Sequence, residues 1–246
     1  MDGLLSGRSI KAGTLRDFRG TDNPGSRYFA ENTEAMGSGR RIENPLDTLI
    51  PRGGIDDALE GRTLVHIDRL SSASEADRAR AQVTKDALGI DMLGGFAGPG
   101  LSVSDTIVQL EVPNYFIYCC SNDLSETTVA RIQADSLAFS GRPYDVAVPI
   151  VDVNGFANAL TIAVCRKLGW FGSMRNIGGP VEYRANIFSV GDGSAELPHP
   201  MVKHPFFAEQ NEFRIVIDRQ VEKSQAGFFV EFEGDTSRLF GEPVSL

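Results

Sequence analysis

A change in hydrophobic patterning near residue 100 limits the folds open to this chain more than any other property. Glycine and proline punctuate residues 20–61, where no apolar run is long enough for a regular element. From residue 105 onward, runs of strand length alternate with runs of helical period. Because no linker separates the two parts, we predict one domain over residues 1–246. Its loop-rich part would span 1–100 and its more regular part 101–246.

The loop-rich part predicts few regular elements. Strands are expected at residues 10–18 and 63–68. Ser74 and Gly89 predict a helix between them, since serine caps helix N-termini and glycine ends helices. The glycine-rich stretch at 94–100 predicts a flexible connection or a lid.

The more regular part predicts most of the sheet structure. Pro113 and Asn114 separate the first two of its strands, which indicates a hairpin. Because helices and strands interleave irregularly, we predict an α+β fold with a mixed, mainly antiparallel sheet, or split sheets, and flanking helices. The strands are expected at residues 105–112, 115–121, 144–151, 181–188, 212–218 and 228–232, and the helices at 125–136 and 154–168.

Charge and cysteine content narrow the compartment and the partners. The net charge is −9, which disfavours nucleic acid and anionic membranes as partners. Three cysteines without regular spacing fit a reducing compartment better than a disulfide framework. No apolar run is long enough for a signal peptide or a membrane span. We therefore expect a cytoplasmic protein.

Common metal and nucleotide motifs are missing from the sequence. It contains no P-loop, no H-E-x-x-H and no C-x-x-C, and His199 and His204 each precede a proline. We therefore expect no metal site. Cys119 and Cys120 are adjacent and would point to opposite faces of a strand, and buried, inert thiols are the expected state for both.

A polar cluster at the start of a late apolar strand is the first candidate for chemistry. Gln210 and Glu212 are two residues apart, so on a strand they face the same side, and Arg214 continues that face. Polar groups at such a position are common at the edge of a cleft. The alternative is a surface strand edge with an ordinary ion pair between Glu212 and Arg214.

Two further segments carry polar groups at the ends of predicted strands. An aromatic strand that contains Tyr118 ends at Ser121, which delivers a hydroxyl to one edge of the sheet. The alternative is a strand end followed by a helix cap. Near the N-terminus, Arg16 and Arg19 follow an early strand, and arginine suits bidentate contact with a pyrophosphate or a carboxylate. The alternative there is a solvated basic turn.

Taken in chain order, these segments resemble the Arg…Ser…Glu pattern of the ADP-ribosyltransferase family. The matching stretches are Phe18-Arg19-Gly20, Cys120-Ser121 and Gln210-Asn211-Glu212. The chain also resembles, more loosely, uncharacterised bacterial and phage proteins in its first strand and its late Glu-bearing strand. It departs from the family pattern where two cysteines precede Ser121 in place of the usual Ser-Thr-Ser. Glu212 follows Ser121 by 91 positions, and this long separation implies an inserted helix.

The resemblance implies an enzyme that cleaves NAD and transfers ADP-ribose, as in a bacterial toxin or a phage-conflict effector. Glu212 would stabilise the oxocarbenium-like transition state, and Gln210 would orient the acceptor. A macromolecular acceptor, protein rather than nucleic acid, and an inhibitor or antitoxin partner are the implied partners. The catalytic candidates are Glu212 and Gln210, and the NAD-binding candidates are Arg19, Arg16, Ser121 and Tyr118.

Two other functional classes remain open from the sequence. The first is a non-catalytic interaction or inhibitory module that uses the loop-rich part as its surface. The second is a metal-dependent nuclease, since Asp145, Asp152, Glu212 and Glu231 lie on or near predicted strands and carboxylates bind Mg²⁺. Against the nuclease, Arg214 stands where such enzymes place a lysine, and arginine does not readily lose a proton.

Overall fold

A computed structural model describes residues 9–19, 59–94 and 102–246, apart from the side chains of residues 9 and 138–140. The predicted loops between residues 20 and 58 and the glycine-rich stretch at 95–100 lie outside these ranges. The described helices are α1 (Leu15–Arg19), α2 (Glu75–Leu88), α3 (Glu126–Ser140) and α4 (Val153–Lys167), with a 3-10 helix at Pro205–Gln210. The strands are β1 (Ser9–Thr14), β2 (Arg62–Ser71), β3 (Ser102–Glu111), β4 (Asn114–Ser121), β5 (Val146–Ala147), β6 (Asn176–Pro180), β7 (Glu182–Tyr183), β8 (Ile187–Ser189), β9 (Val202–Lys203), β10 (Glu212–Val221), β11 (Phe228–Glu231) and β12 (Val244–Ser245).

The strands form split, mainly antiparallel sheets, which confirms the predicted α+β class. The largest sheet has the strand order β11-β1-β4-β10-β6, and every neighbouring pair in it is antiparallel. A three-stranded sheet has the order β3-β2-β8, in which β2 and β8 are parallel. The pairs β12-β5 and β7-β9 form two small sheets. The β7-β9 pair brings the chain around Lys203 next to the start of β10.

One face of each of the two larger sheets packs against a long helix. The helix α4 covers one face of the five-stranded sheet, where Phe156 and Leu160 pack against Phe116 and Ile215. On the three-stranded sheet, the apolar side of α2 packs against β2. Apolar burial of this kind supplies most of the free energy that holds such layers together. On the other face of the five-stranded sheet, a smaller cluster surrounds Val216.

The helix predicted from Ser74 and Gly89 is confirmed, with both caps in place. The Ser74 side chain accepts a hydrogen bond from the backbone N–H of Asp77. Gly89 adopts φ 70°, the left-handed conformation that glycine reaches without strain. The predicted helix at 154–168 is also present, as α4, and the Asp152 side chain caps it.

The predicted hairpin between residues 105–112 and 115–121 is wrong. β3 pairs with β2 from end to end, whereas β4 pairs with β1 and β10 in the other sheet. Pro113 cannot donate a ladder hydrogen bond, and the chain crosses between the sheets at this point. The long β2 partner therefore outcompetes the local pairing.

Three other strand predictions are wrong in their extent. The first strand ends at Thr14, because the Asp17 carboxylate accepts hydrogen bonds from the backbone N–H groups of Thr14 and Gly227 and closes a turn into α1. The strand predicted at 144–151 shrinks to β5, and the one at 181–188 divides into β7 and β8. No helix in the described ranges is both long and apolar enough to cross a membrane.

Candidate functional site

The antiparallel pairing of β4 and β10 creates the most densely charged buried region in the described structure. Ser121 lies directly opposite Glu212, and Cys119 lies opposite Arg214. Because side chains alternate along a strand, all four point to the same face of the sheet. The polar end of β4 and the polar start of β10 therefore meet at one edge, as the sequence predicts for each strand separately.

The Glu212 carboxylate is buried and contacts two cations. Lys203 Nζ donates to Glu212 Oε2 over 3.0 Å, and Arg214 Nε donates to Oε1. Burial alone would raise the pKa of Glu212, but the charges of Arg214 and Lys203 outweigh it and lower this pKa to about 2. Glu212 is therefore a carboxylate at every physiological pH and cannot serve as a proton donor.

Glu60 completes a buried quartet with Glu212, Arg214 and Lys203. The Glu60 carboxylate, with a side-chain exposure of 1 %, pairs with Arg214 and lies 3.9 Å from Lys203 Nζ. Arg214 also donates to the carbonyl of Pro200. The two negative charges of the quartet balance its two positive charges. Such pairing is needed because an unpaired buried ion costs several kcal/mol. Burial would lower the pKa of Arg214, but Glu60 and Glu212 hold it well above its ordinary value.

Contrary to the prediction from the two-residue spacing, Gln210 does not share the strand of Glu212, because a 3-10 helix ends at Gln210 and β10 begins only at Glu212. This helix delivers Gln210 to the quartet. His204 caps the helix with its side chain, and Pro205 suits the first position because its missing N–H is not needed there. Asn211 ends the helix at φ 42°, a conformation that asparagine tolerates better than most residues. The Asn211 side chain donates to Asp123 Oδ2 over 2.6 Å, which fixes this turn to the end of β4.

Both ends of the Gln210 amide are engaged by side chains. Gln210 Oε1 accepts from Lys203 Nζ over 2.8 Å, and Gln210 Nε2 donates to Asp135 Oδ2 over 2.7 Å. Ser121 Oγ lies 3.5 Å from the backbone carbonyl oxygen of Gln210. The Tyr183 hydroxyl accepts a hydrogen bond from the Glu212 backbone N–H over 2.8 Å. Ser121, Gln210 and Tyr183 are each partly exposed, so they form the side of the site that faces solvent.

Arg19 occupies a buried structural position beside this site. Its Nε donates to the Glu60 carbonyl over 2.7 Å, and its Nη2 donates to the Val112 and Gly61 carbonyls. Its remaining nitrogen pairs with Glu111 at 3.5 Å. Burial and the nearby Arg62 lower the pKa of Arg19. Each of the three guanidinium nitrogens of Arg19 therefore contacts a protein group.

Arg16 and Tyr118 lie away from the edge that contains Ser121 and Glu212. The Arg16 backbone N–H donates to Asn114, at the opposite end of β4 from Ser121, and seven residues of strand span roughly 23 Å. The exposed Arg16 guanidinium donates to the Lys223 carbonyl. Tyr118 points to the other face of the sheet, where its ring lies 5.0 Å from that of Phe156. Burial raises the pKa of Tyr118.

The structure thus brings together Ser121, Gln210 and Glu212 and separates them from Arg16 and Tyr118. It adds Glu60, Lys203, Asp135 and Tyr183, which the sequence analysis did not identify. The residues next to Lys203 give no sequence signal for a site. Its partners Gln210, Glu212 and Glu60 come from other parts of the chain. The one usable hint was the charge of Glu212 and Arg214 at the start of an apolar strand, which demanded partners of both signs.

Among the residues that the structure describes, carboxylates do not converge in the manner of a nuclease. Within residues 9–19, 59–94 and 102–246, no group of three His, Cys, Asp or Glu side chains could hold a metal ion. Glu231 lies on β11, which β1 and β4 separate from β10. Asp152 caps α4, and the Glu212 charge is already matched by two cations. The set proposed for Mg²⁺ is therefore dispersed.

Comparison with known proteins adds no relative to this description. No protein-family model, no curated protein and no solved structure gives a significant match to the chain. Any function must therefore be argued from the geometry of the site itself.

Proposed function

We propose that the chain is an ADP-ribosyltransferase-like enzyme that cleaves NAD and transfers ADP-ribose to an acceptor. The observation that carries the proposal is the adjacency of the three segments that resemble that family. β1 leads into Arg19, β4 ends at Ser121 and β10 begins at Glu212, and these three strands are neighbours in one sheet. Segments that are far apart in sequence thereby share one structural unit, with Ser121 and Glu212 directly opposite.

The chemistry of Glu212 suits the proposed step. When the bond between nicotinamide and ribose breaks, positive charge develops on the ribose, and a fixed carboxylate stabilises it. A pKa of about 2 keeps Glu212 ionised, so its contribution is electrostatic rather than proton transfer. Glu60 and Pro200 hold Arg214 in place. An NAD ribose that approaches Glu212 would therefore share the Glu212 carboxylate with Lys203.

The residue roles differ from those that the resemblance implies. The NAD ribose is assigned to Glu212 and Ser121, whose side chains share an edge. Gln210 would support Lys203 instead of reaching for the acceptor, because both ends of its amide are occupied. Arg19 would shape the fold around Glu60, since its nitrogens contact backbone carbonyls and Glu111.

The acceptor and the partners follow from the charge of the chain. With a net charge of −9, a protein acceptor is favoured over nucleic acid, whose phosphates the surface would repel on average. A toxin-like enzyme of this kind would act in the cytoplasm and need an inhibitor or antitoxin partner. The cytoplasmic location and the inhibitor partner are parts of the same proposal.

A non-catalytic interaction module is the second candidate function. The observation that favours it is the balance of the buried quartet, in which every charge has a partner, as a purely structural network requires. In that case Glu212 would serve the fold alone.

Incubation with nicotinamide-labelled and adenine-labelled NAD separates the two candidates. Wild type should release nicotinamide, Glu212→Gln should not, and Glu231→Gln, an exposed acid on β11, should behave as wild type. Thermal melts of the three proteins identify a variant that has merely unfolded. A folded wild type that neither binds NAD nor releases nicotinamide would sink the transferase and leave the interaction module.

A further inference from the structure

The helix α3 is joined to the candidate site by side chains of its inner face. Its main packing partner is the 3-10 helix that carries Gln210. Arg131 and Asp135 are four residues apart and therefore neighbours on that face. Arg131 Nε donates to Asp135 Oδ2 over 3.1 Å, and the Arg131 guanidinium lies 5.2 Å from the centre of the Phe206 ring. Asp135 is 8 % exposed, so it reaches the 3-10 helix from inside the contact.

Asp135 decides which way the Gln210 amide points. A carboxylate only accepts hydrogen bonds, so the Gln210 group that faces Asp135 must be the NH₂. The amide oxygen is then turned toward Lys203, whose ammonium only donates. If the amide were reversed, both contacts would become repulsive. The two charged partners thus select a single orientation of Gln210.

That orientation fixes Lys203 against Glu212. Lys203 Nζ is held by Gln210 Oε1 at 2.8 Å and by Glu212 Oε2 at 3.0 Å, and it lies 4.7 Å from the centre of the Phe207 ring. A continuous series of charge-assisted contacts therefore runs from α3 through Gln210 and Lys203 to the carboxylate. Hydrogen bonds of this type are shorter and stronger than neutral ones, so displacement at one end is transmitted to the other.

We infer that Asp135 is a positioning residue of the candidate site, which acts through Gln210 and Lys203 to fix the orientation of the Glu212 carboxylate. The inference rests on the proposed function, since the quantity that Asp135 would control is NAD cleavage. Asp135 itself touches neither Glu212 nor the edge at Ser121. Its effect is on the geometry in which the carboxylate meets developing positive charge.

The first test compares two substitutions of Asp135. A single oxygen, Oδ2, receives both Arg131 Nε and Gln210 Nε2, so the amide oxygen of Asp135→Asn can replace it, whereas Asp135→Leu offers no acceptor. Asp135→Leu should lower kcat for nicotinamide release by about tenfold with little change in KM, because a small misplacement affects the transition state most. Asp135→Asn should recover most of the rate. Asp86→Leu, at an exposed position on α2, is the matched control.

The second test makes the contact between Asp135 and position 210 depend on pH and follows the effect on the rate. Gln210→Glu places a second carboxylate against Asp135, with Arg131 and Lys203 on either side of the pair. The repulsion between the two acids should raise the pKa of position 210 relative to the same carboxyl beside Asp135→Asn. The rate and the melting temperature of Gln210→Glu should then fall as pH rises through that raised pKa. In Gln210→Glu combined with Asp135→Asn, this dependence should vanish.

The outcomes are separable. Equal kcat in wild type and a folded Asp135→Leu would overturn the positioning role while the transferase stands. Identical pH profiles in the single and double variants would overturn the contact on which the role depends. A wild type that releases no nicotinamide would overturn the proposed function and the positioning role with it, and the melting curves would still report whether Asp135 faces position 210.

Discussion

At the scale of single residues, the chain places full charges where most proteins place apolar atoms. Arg214 is among the largest fully buried side chains, and Glu60 is buried with it. Replacing such ion pairs by apolar residues is often neutral or stabilising, whereas removing one partner is costly. The quartet is therefore poor evidence for stability by itself. Under the proposed function, the quartet would also orient the Glu212 carboxylate.

Acid sensitivity is the prediction that belongs to this scale. The pKa of Glu212 is lowered to about 2 from its ordinary 4.5, so Glu212 stabilises the folded state above pH 4.5 and loses that contribution as pH falls toward 2. Urea unfolding of wild type and Glu212→Gln at pH 6 and pH 3 checks it. The free energy of unfolding should fall more for wild type, because the variant has no titrating group there. Glu231→Gln should follow wild type, and parallel losses in all three proteins would contradict the assignment.

At the scale of elements, the sequence predicted those helices and strands that depend on nearby residues and missed those that depend on distant ones. Ser74 and Gly89 determine their helix through neighbours a few residues away, so the prediction succeeded. The alternation of Glu212 and Arg214 correctly placed both on one face of β10, whereas Gln210 lies at the end of the 3-10 helix that precedes this strand. The β3–β4 hairpin failed, because β2 offered β3 a longer partner from another part of the chain. Lys203 and Glu60 escaped detection, because the oppositely charged groups that they contact, Glu212 and Arg214, lie nine or more residues away in sequence.

A close approach between β1 and the segment before β11 gives a second prediction. A Cβ atom on Gly227 would lie 2.5 Å from the Ala12 carbonyl oxygen and 2.8 Å from Gly13 Cα, both backbone atoms that cannot move aside cheaply. Gly227→Ala should therefore destabilise the fold by about 1–3 kcal/mol, as overpacking does. Gly193→Ala is the control, because its new Cβ would meet only a side chain at 3.5 Å. Equal urea midpoints for the two variants would show that the two segments are not packed so closely.

At the scale of the whole molecule, the quartet joins parts that no strand ladder connects. Glu60 immediately precedes β2 of the three-stranded sheet, whereas Arg214 and Glu212 belong to the five-stranded sheet. Arg19 adds a second connection from α1 to the carbonyls of Glu60 and Gly61. The α+β class could be predicted from patterning, but this connection could not, because it depends on charges brought together only by the folded chain.

Destabilisation of both larger sheets by one substitution is the prediction at this scale. Glu60→Gln leaves two buried cations with one acid and should cost about 3–5 kcal/mol. Glu233→Gln, which breaks an exposed pair with Arg166, should cost at most about 1 kcal/mol. Urea unfolding gives the magnitudes. Hydrogen exchange of β2 amides reports on the three-stranded sheet, and the fluorescence of Trp170, whose ring lies 6.2 Å from that of Phe116, reports on the five-stranded sheet. A Glu60→Gln protein with wild-type stability in both sheets would refute the connection.

The quartet also constrains how this protein can diverge. A neutral residue at position 212 would remove the nearest carboxylate from Lys203, and a neutral residue at position 60 would remove one of the two carboxylates that pair with Arg214. Single substitutions at these four positions therefore pass through a less stable intermediate, whereas exchanges of an acid together with its base do not. Homologous sequences should therefore vary at positions 60, 203, 212 and 214 together or not at all, and sequence comparison alone would reveal that joint variation.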